Sequence, residues 1–318
     1  MTTTPYNRKP IPKSVLIFGA AARIGGPLAD FLSREAPSIR LRLASSSPEK
    51  AEQLRQIHPG AEVVLASYAD LPSLKAAVAD MEGIFVVAPS GTDEEIATGN
   101  MIEALKGTSR LIQLIRIVGL QPEANNHRIP SEIARLSLPI QHALAKKMLD
   151  DSFLPVTYLN CGATFMNNFL LFGSYRALQR DRKLIWPERK IPYIDPAEVG
   201  EVAGRLFLSD NHRHIGQFHT INNGHDILRF SEVAELMSEV WGEPIAHDGS
   251  KEAFFAEYPH LGPAAQRLWD FFQYEQDNEE VWARNDFAER MLGRKPRTLR
   301  EWLIENRDPL LGGPDKTS

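Results

Sequence analysis

The stretch Ser14-Val15-Leu16-Ile17-Phe18-Gly19-Ala20-Ala21-Ala22-Arg23-Ile24-Gly25-Gly26 decides how the rest of the chain is read. Residues 15–18 are apolar and few enough for a buried strand. Residues 19–25 form a turn of small side chains, and residues 27–33 read as a helix with Leu28, Phe31 and Leu32 on one face. Strand, glycine turn and helix start together make a phosphate site. The first N–H groups of a helix lack intrahelical partners, and the positive end of its dipole faces the turn. Gly19 permits the tight turn, Gly25 lets the helix approach the strand, and Ala22 stands midway. The spacing is Gly-x-x-Ala-x-x-Gly, looser than Gly-x-Gly-x-x-Gly, so an ordinary strand-turn-helix competes with a dinucleotide turn at this point. On the second reading Gly19, Ala21, Ala22, Arg23, Ile24 and Gly25 contact the cofactor.

Downstream, strands at 39–44, 61–66, 83–88 and within 110–118 alternate with helices at 48–56, from 71 onwards and at 93–105. A helix at 139–151 and a sixth strand at 155–160 complete the series. Alternation every ~30 residues calls for a doubly wound parallel α/β sheet of Rossmann type, which binds ligands at the carboxyl ends of its strands. The turns to watch are therefore 19–25, Ser45 to Ser47, Ser67, the Ala88-Pro89-Ser90 turn, and the segment after Val118. Residues 119–135 form a long polar loop of the kind usually kept for function.

Beyond Cys161 the pattern changes. A helix is expected at 164–178, two short strands at 183–186 and 191–194 flank a turn, and five further helices fall between 230 and 305. The domains expected are 13–160 with returning segments near 191–222, and a smaller, mostly helical substrate-binding region at 161–308. Residues 1–12 and 309–318 are expected to be flexible.

The 318 residues, 43% of them hydrophobic and 24% charged, are ordinary for a globular protein, and a net charge of −5 leaves no basic footprint for nucleic acid. No apolar run approaches the ~20 residues that span a bilayer. The polar N-terminus lacks the apolar core of a secretory signal, and the single Cys161 cannot form an internal disulfide, so a cytoplasmic protein is expected. The spacing of His212, His214 and His219 matches no motif that fixes a metal, and no metal is expected.

Three constellations carry the candidate chemistry. The first ends the second strand, where NAD enzymes usually place an acidic residue ~20 residues after the glycines to bind the ribose 2′-hydroxyl. Here Ser45, Ser46 and Ser47 stand there, with Arg23 and Lys50 as cations, which leans to NADP and keeps NAD open; the alternative is that the serines cap the next helix. The second is His142-x-x-x-Lys146 on one helical face, with Lys146 to hold the nicotinamide ribose and His142 to deliver a proton; the alternative is a solvated face. The third runs from Asn160 and Gly162, at the sixth strand's end, into Phe165, Asn168 and Phe169. With Trp186 the last three would line an apolar substrate pocket, and the alternative is plain core.

Taken together, these residues resemble the NmrA-like branch of the atypical short-chain dehydrogenase/reductase superfamily. The resemblance runs from Val15 to about Arg307. It is carried by the 15–26 turn, Leu41 to Ala51, Pro155-Val156-Thr157 with Phe165-Met166-Asn167-Asn168-Phe169, Ile191 to Gly204, and Lys295-Pro296-Arg297-Thr298-Leu299-Arg300-Glu301-Trp302. It implies a domain that binds NAD(P), usually NADP, and a small C-terminal domain that closes a substrate cleft. It also brings departures. Where the wider family ends the fifth strand in serine, this chain has Arg116-Ile117-Val118-Gly119, and His142 takes the position of the relay tyrosine. Ser46 and Ser67 replace an arginine and an aspartate common in the family.

Three functions follow from this reading. The first is an NADPH-dependent reductase of a conjugated, aromatic or quinone-like small molecule, working by direct hydride transfer without the serine-tyrosine relay. The second is a non-catalytic NAD(P) sensor with a protein partner. The third is a redox-neutral isomerase or lyase on the same scaffold. A monomer or homodimer is expected, with no membrane partner.

Overall fold

The computed structural model describes residues 8–89, 91–120, 141–279 and 282–312. Within them the chain falls into two compact units, one of residues 8–120, 141–161 and 197–221, the other of residues 162–196 and 222–312.

The first unit is built on a seven-stranded sheet. Its strands are β1 (Ser14–Phe18), β2 (Arg40–Ser45), β3 (Glu62–Leu65), β4 (Gly83–Val86), β5 (Gln113–Val118) and β6 (Val156–Asn160). In the second unit lie β7 (Thr164–Phe165), β8 (Lys183–Ile185), β9 (Lys190–Ile194), β11 (Ile227–Arg229) and β12 (Ala246–Asp248), while β10 (Phe218–Thr220) returns to the first. The large sheet runs β10-β6-β5-β4-β1-β2-β3, every pair parallel. Its first six strands follow the Rossmann order 3-2-1-4-5-6, with the switch point between β1 and β4. β1, β4, β5 and β6 are buried at every residue, as strands covered by helices on both faces must be. β3 is an edge strand, exposed at Glu62 and Leu65 and half-buried at Val63 and Val64.

The crossovers are α1 (Gly25–Glu35), α2 (Pro48–Ile57), α3 (Leu71–Val78), α4 (Glu94–Leu105) and α5 (Gln141–Asp151). One core layer packs Leu74 and Val78 of α3, Met101 and Leu105 of α4 and Leu149 of α5 on Leu16, Ile84 and Leu114. On the other face Gly200 and Gly204, in the helix Pro196–Leu208, allow close approach to α1. A Cβ at Gly200 would meet the Ile24 carbonyl oxygen at 2.5 Å, and one at Gly204 the Phe31 ring at 2.3 Å.

Several expectations are corrected. The single helix expected at 164–178 is instead β7, a short helix Asn168–Leu171, and a helix Ser174–Asp181. Gly173, at φ 82°, breaks the run, and Thr164 and Phe165 are drawn into parallel pairing with Tyr193 and Ile194. β8 and β9 flank a turn without pairing with each other: β8 pairs with β12, and β9 with β7 and β11. The chain ends expected to be flexible are anchored where they are described. Lys9 donates from Nζ to the Phe207 carbonyl at 3.1 Å and is buried. The helix Arg307–Leu311 buries Leu310 and Leu311. Residues 121–135 of the long polar loop lie outside the described residues.

Candidate functional site: the carboxyl edge of the parallel sheet

A backbone hydrogen bond closes the glycine turn. Gly19 leaves β1 at φ 70°, and the Ala22 N–H donates to the Gly19 carbonyl at 2.9 Å. A Cβ at Gly25 would lie 2.3 Å from the Gly19 carbonyl oxygen and 2.7 Å from its carbon. One at Gly19 would lie 2.7 Å from Val87 Cγ1. Gly19 is therefore required by contact and by conformation, and Gly25 by contact. α1 begins after Ile24 with no side-chain cap; in its first turn the Gly26 N–H donates to the Ala22 carbonyl at 2.9 Å and Pro27 has no N–H, which leaves Gly25 as the first-turn amide for the edge. Ala21 and Ala22 are exposed there, and Arg23 is half-buried. Burial lowers the Arg23 guanidinium from its ordinary value, while the Cys161 thiol nearby opposes that shift. Burial in turn pushes the thiol up to about 12, against the opposing charge of Arg23. Cys161 is a protonated packing group rather than a nucleophile.

At the end of β2 the three serines divide their work. Ser47 caps α2, accepting from the Lys50 N–H at 3.3 Å and donating to Glu49 at 2.5 Å. Ser45 is buried, and its hydroxyl donates to the Ser47 carbonyl at 3.0 Å. The capping alternative thus accounts for Ser47, and the exposed Ser46 is the serine turned to solvent. Ser67 accepts from the Ala69 N–H at 3.3 Å and shapes the turn after β3. Next to it Tyr68 stacks on Phe18 at 5.0 Å and donates to the Val87 carbonyl at 3.0 Å, tying the ends of β1, β3 and β4 together. Ala88 is half-buried and Pro89 exposed beyond β4; Ser90 lies outside the described residues.

His142 and Lys146 take different places. His142 Nδ1 accepts from the Gly119 N–H at 2.8 Å, directly beyond β5, and Nε2 lies 3.5 Å from Glu94. Burial first, and the Arg116 charge second, push the imidazole down to about 3. At neutral pH it is uncharged, and Nδ1 is occupied as an acceptor. A proton donor near neutrality needs the opposite, so this geometry favours a backbone contact for His142 over the expected general acid. Lys146 lies one turn along α5. Its ammonium pairs with Asp150 at 2.6 Å and sits 4.9 Å from the ring of Tyr158, mid-strand in β6. Asn160 is wholly buried, and its amide accepts from the Leu120 N–H at 2.8 Å and donates to the Leu120 carbonyl at 2.9 Å and Thr220 at 3.1 Å. His142 and Asn160 therefore grip consecutive residues at the exit of β5.

Gly162, Phe165, Asn168, Phe169 and Trp186 belong to the second unit. Phe169, 2% exposed, packs with Tyr193, Phe230 and Trp302. Trp186, 5% exposed, packs with Phe254, Tyr258 and Phe272. These two rings are interior packing, and the core alternative accounts for them. Phe165 and Asn168 are half-buried, and Gly162 is buried.

Two edge residues escape a sequence reading. Arg116 in β5, at 2% exposure, and Glu94 at the start of α4, at 5%, form a 2.5 Å ion pair inside the first unit. The signal was present as an arginine inside the apolar run Leu114-Ile115-Arg116-Ile117-Val118. Among the described residues no group of three or more His, Cys, Asp or Glu could hold a metal, and no helix is long and apolar enough to cross a membrane.

The chain is 23% identical over 297 residues to a (4-alkanoyl-5-oxo-2,5-dihydrofuran-3-yl)methyl phosphate reductase of Streptomyces griseus, covering 92% of this chain and 97% of the relative. Its fold is similar to that of an NADPH-dependent quinone oxidoreductase from Escherichia coli, solved with NADPH. The TM-score is 0.75 and the identity 20%, over 92% of this chain and 99% of the other. It is similar too to a triphenylmethane reductase from Citrobacter sp., solved with NADP(H), at TM-score 0.75 and 18% identity over 92% and 99% of the two chains. The NmrA-like family matches residues 12–303, and the chain belongs to that family.

Proposed function

We propose that the protein is an NADPH-dependent reductase of a conjugated or quinone-like small molecule. The observation that carries the reading is the cradle at the β1/β4 switch point. There an uncapped helix start is packed so closely on the turn that no Cβ fits at Gly25, and Val87 leaves no room for one at Gly19. Such a site takes a pyrophosphate on backbone N–H groups. NADPH is favoured over NADH because β2 ends in an exposed hydroxyl, Ser46, and the first carboxylate beyond it, Glu49, is held by Ser47. When bound, NADPH supplies a hydride to an electrophilic carbon or quinone oxygen of the substrate. The residues Gly19, Ala21, Ala22, Arg23, Ile24, Gly25, Ser46, Ala88 and Pro89 would hold it. Phe165 and Asn168 remain the proposed substrate contacts. With His142 neutral and engaged, the proton that completes reduction comes from water, and positioning supplies most of the rate. The similarity to reductases of furanones, quinones and triphenylmethane dyes supports this reading.

The sensor reading has one observation in its favour: no hydroxyl ends β5, and the nearest imidazole is a clamp. One experiment separates the two. NADPH and NADH binding are measured by fluorescence, then oxidation of each is followed by near-ultraviolet absorbance across quinones, enones and butenolide phosphates. Tight NADPH binding with turnover of one class supports the reductase. Tight binding with constant absorbance throughout supports the sensor. No binding of either nucleotide refutes both.

A further inference from the structure

A buried arginine–carboxylate pair is an expensive device. Replacing such a pair with apolar side chains is often neutral or stabilising, so a fold that keeps one needs a reason beyond stability. Here the pair is Arg116 Nη2 to Glu94 Oε1, joining the middle of β5 to the first turn of α4. Among the described residues, the buried Arg116 Nε and Nη1 atoms have no hydrogen-bond partner, and Arg116 borders a small cavity lined in part by Tyr68, Ala88 and Thr98. The guanidinium is thus held by one carboxylate and is not optimised for its own hydrogen bonding.

The same carboxylate oxygen faces His142 Nε2 at 3.5 Å, and the other side of that ring accepts the Gly119 amide at 2.8 Å. An N–H aimed at Nδ1 excludes a proton there, so the neutral ring carries its proton on Nε2, toward Glu94. Among the described residues, the charged groups facing the imidazole are Glu94 of α4 and Arg116 of β5. A carboxylate alone would draw a second proton onto the ring. A carboxylate already neutralised by an arginine, facing Nε2 at 3.5 Å, favours the proton on that nitrogen and leaves Nδ1 for the backbone.

We propose that Arg116 and Glu94 are positioning residues for His142, fixing its imidazole as the neutral Nε2–H form so that Nδ1 clamps the amide of Gly119 at the carboxyl edge of β5. The clamp joins three elements that end at this edge: β5, the start of α4 and the start of α5. Its consequence for catalysis rests on the reductase reading, because that edge is where the cofactor would lie. Its chemistry does not rest on it.

The test is nitrogen-15 imidazole NMR of the full chain, with His142 assigned by a His142→Gln variant, across pH 4.5–8. The expected wild-type result is an Nε2–H signature for His142 with no titration in that range. In Arg116→Met the midpoint should rise into the range, and Arg116→Lys should return it toward the wild-type profile. A wild-type His142 titrating near its ordinary value overturns the proposal, as does an unchanged midpoint in a folded Arg116→Met protein. If Arg116→Met does not fold, Glu94→Leu carries the test through hydrogen exchange: the Gly119 amide should lose at least tenfold protection, and unchanged protection refutes the clamp. NADPH oxidation with a quinone is measured on the same samples. An absence of turnover in wild type counts against the reductase reading alone, because the titration and exchange results do not depend on it.

Discussion

Replacing Gly25 by alanine tests the cradle at its tightest point. The added Cβ would lie 2.3 Å from the Gly19 carbonyl oxygen, 2.7 Å from its carbon and 3.0 Å from the Ala20 nitrogen. All three atoms are backbone, so no side chain can swing aside. Restoring ordinary contact needs α1 and the turn to part by about 1 Å at this point. Overpacking of this kind costs ~1–3 kcal/mol, and the gain from replacing a helical glycine by alanine returns less than 1 kcal/mol of it. A net loss of ~2 kcal/mol corresponds to a fall of roughly 4–8 °C in Tm. The same displacement would carry the Gly25 N–H away from a bound phosphate. Losing one charge-assisted hydrogen bond, worth ~1.5–3 kcal/mol, weakens NADPH binding at least tenfold. Calorimetry gives the first quantity and fluorescence titration the second. Gly26→Ala is the control, because its Cβ would meet only the Ala20 carbonyl oxygen, at 3.2 Å, and a shift of a few tenths of an ångström relieves it. Equal losses in the two variants, or no loss in Gly25→Ala, would refute the close-packing argument.

Lys146→Ala should leave NADPH affinity unchanged and cost at most ~1 kcal/mol in urea unfolding, since it removes a partly exposed pair with Asp150 and a cation over Tyr158. A tenfold rise in the NADPH Kd would return Lys146 to the cofactor site. Lys9 gives a pH signature. Burial lowers its ammonium to about 8, against the opposing charge of Asp210, so between that value and 10.5 the unfolded chain binds the proton and the folded chain does not. Folding stability should therefore rise with pH across this window in wild type relative to Lys9→Met. Parallel urea midpoints for the two proteins from pH 8 to 10 would show that Lys9 is not desolvated as the structure places it.

The parallel sheet was legible because its central strands must be apolar on both faces, and short runs such as Ile84-Phe85-Val86 between glycines and polar turns have few other uses. The glycine turn was legible because its constraint is local. The second unit was less so. An apolar stretch like 164–178 satisfies a helix and a strand equally, and what divided it was pairing with β9, almost thirty residues on, together with one left-handed glycine.

The edge residues show a different limit. Spacing of four correctly placed His142 and Lys146 on one helix, but it says nothing of depth along the neighbouring strands. One helical turn, about 5.4 Å, is the interval between a ring that touches the backbone just beyond β5 and an ammonium that rests on the middle of β6. The depth at which the helix lies depends on how its start meets Gly119, and in the proposed clamp on Glu94 and Arg116. Those two residues are remote in sequence from the helix, and the charge of one of them is hidden in a strand where an apolar residue was to be expected.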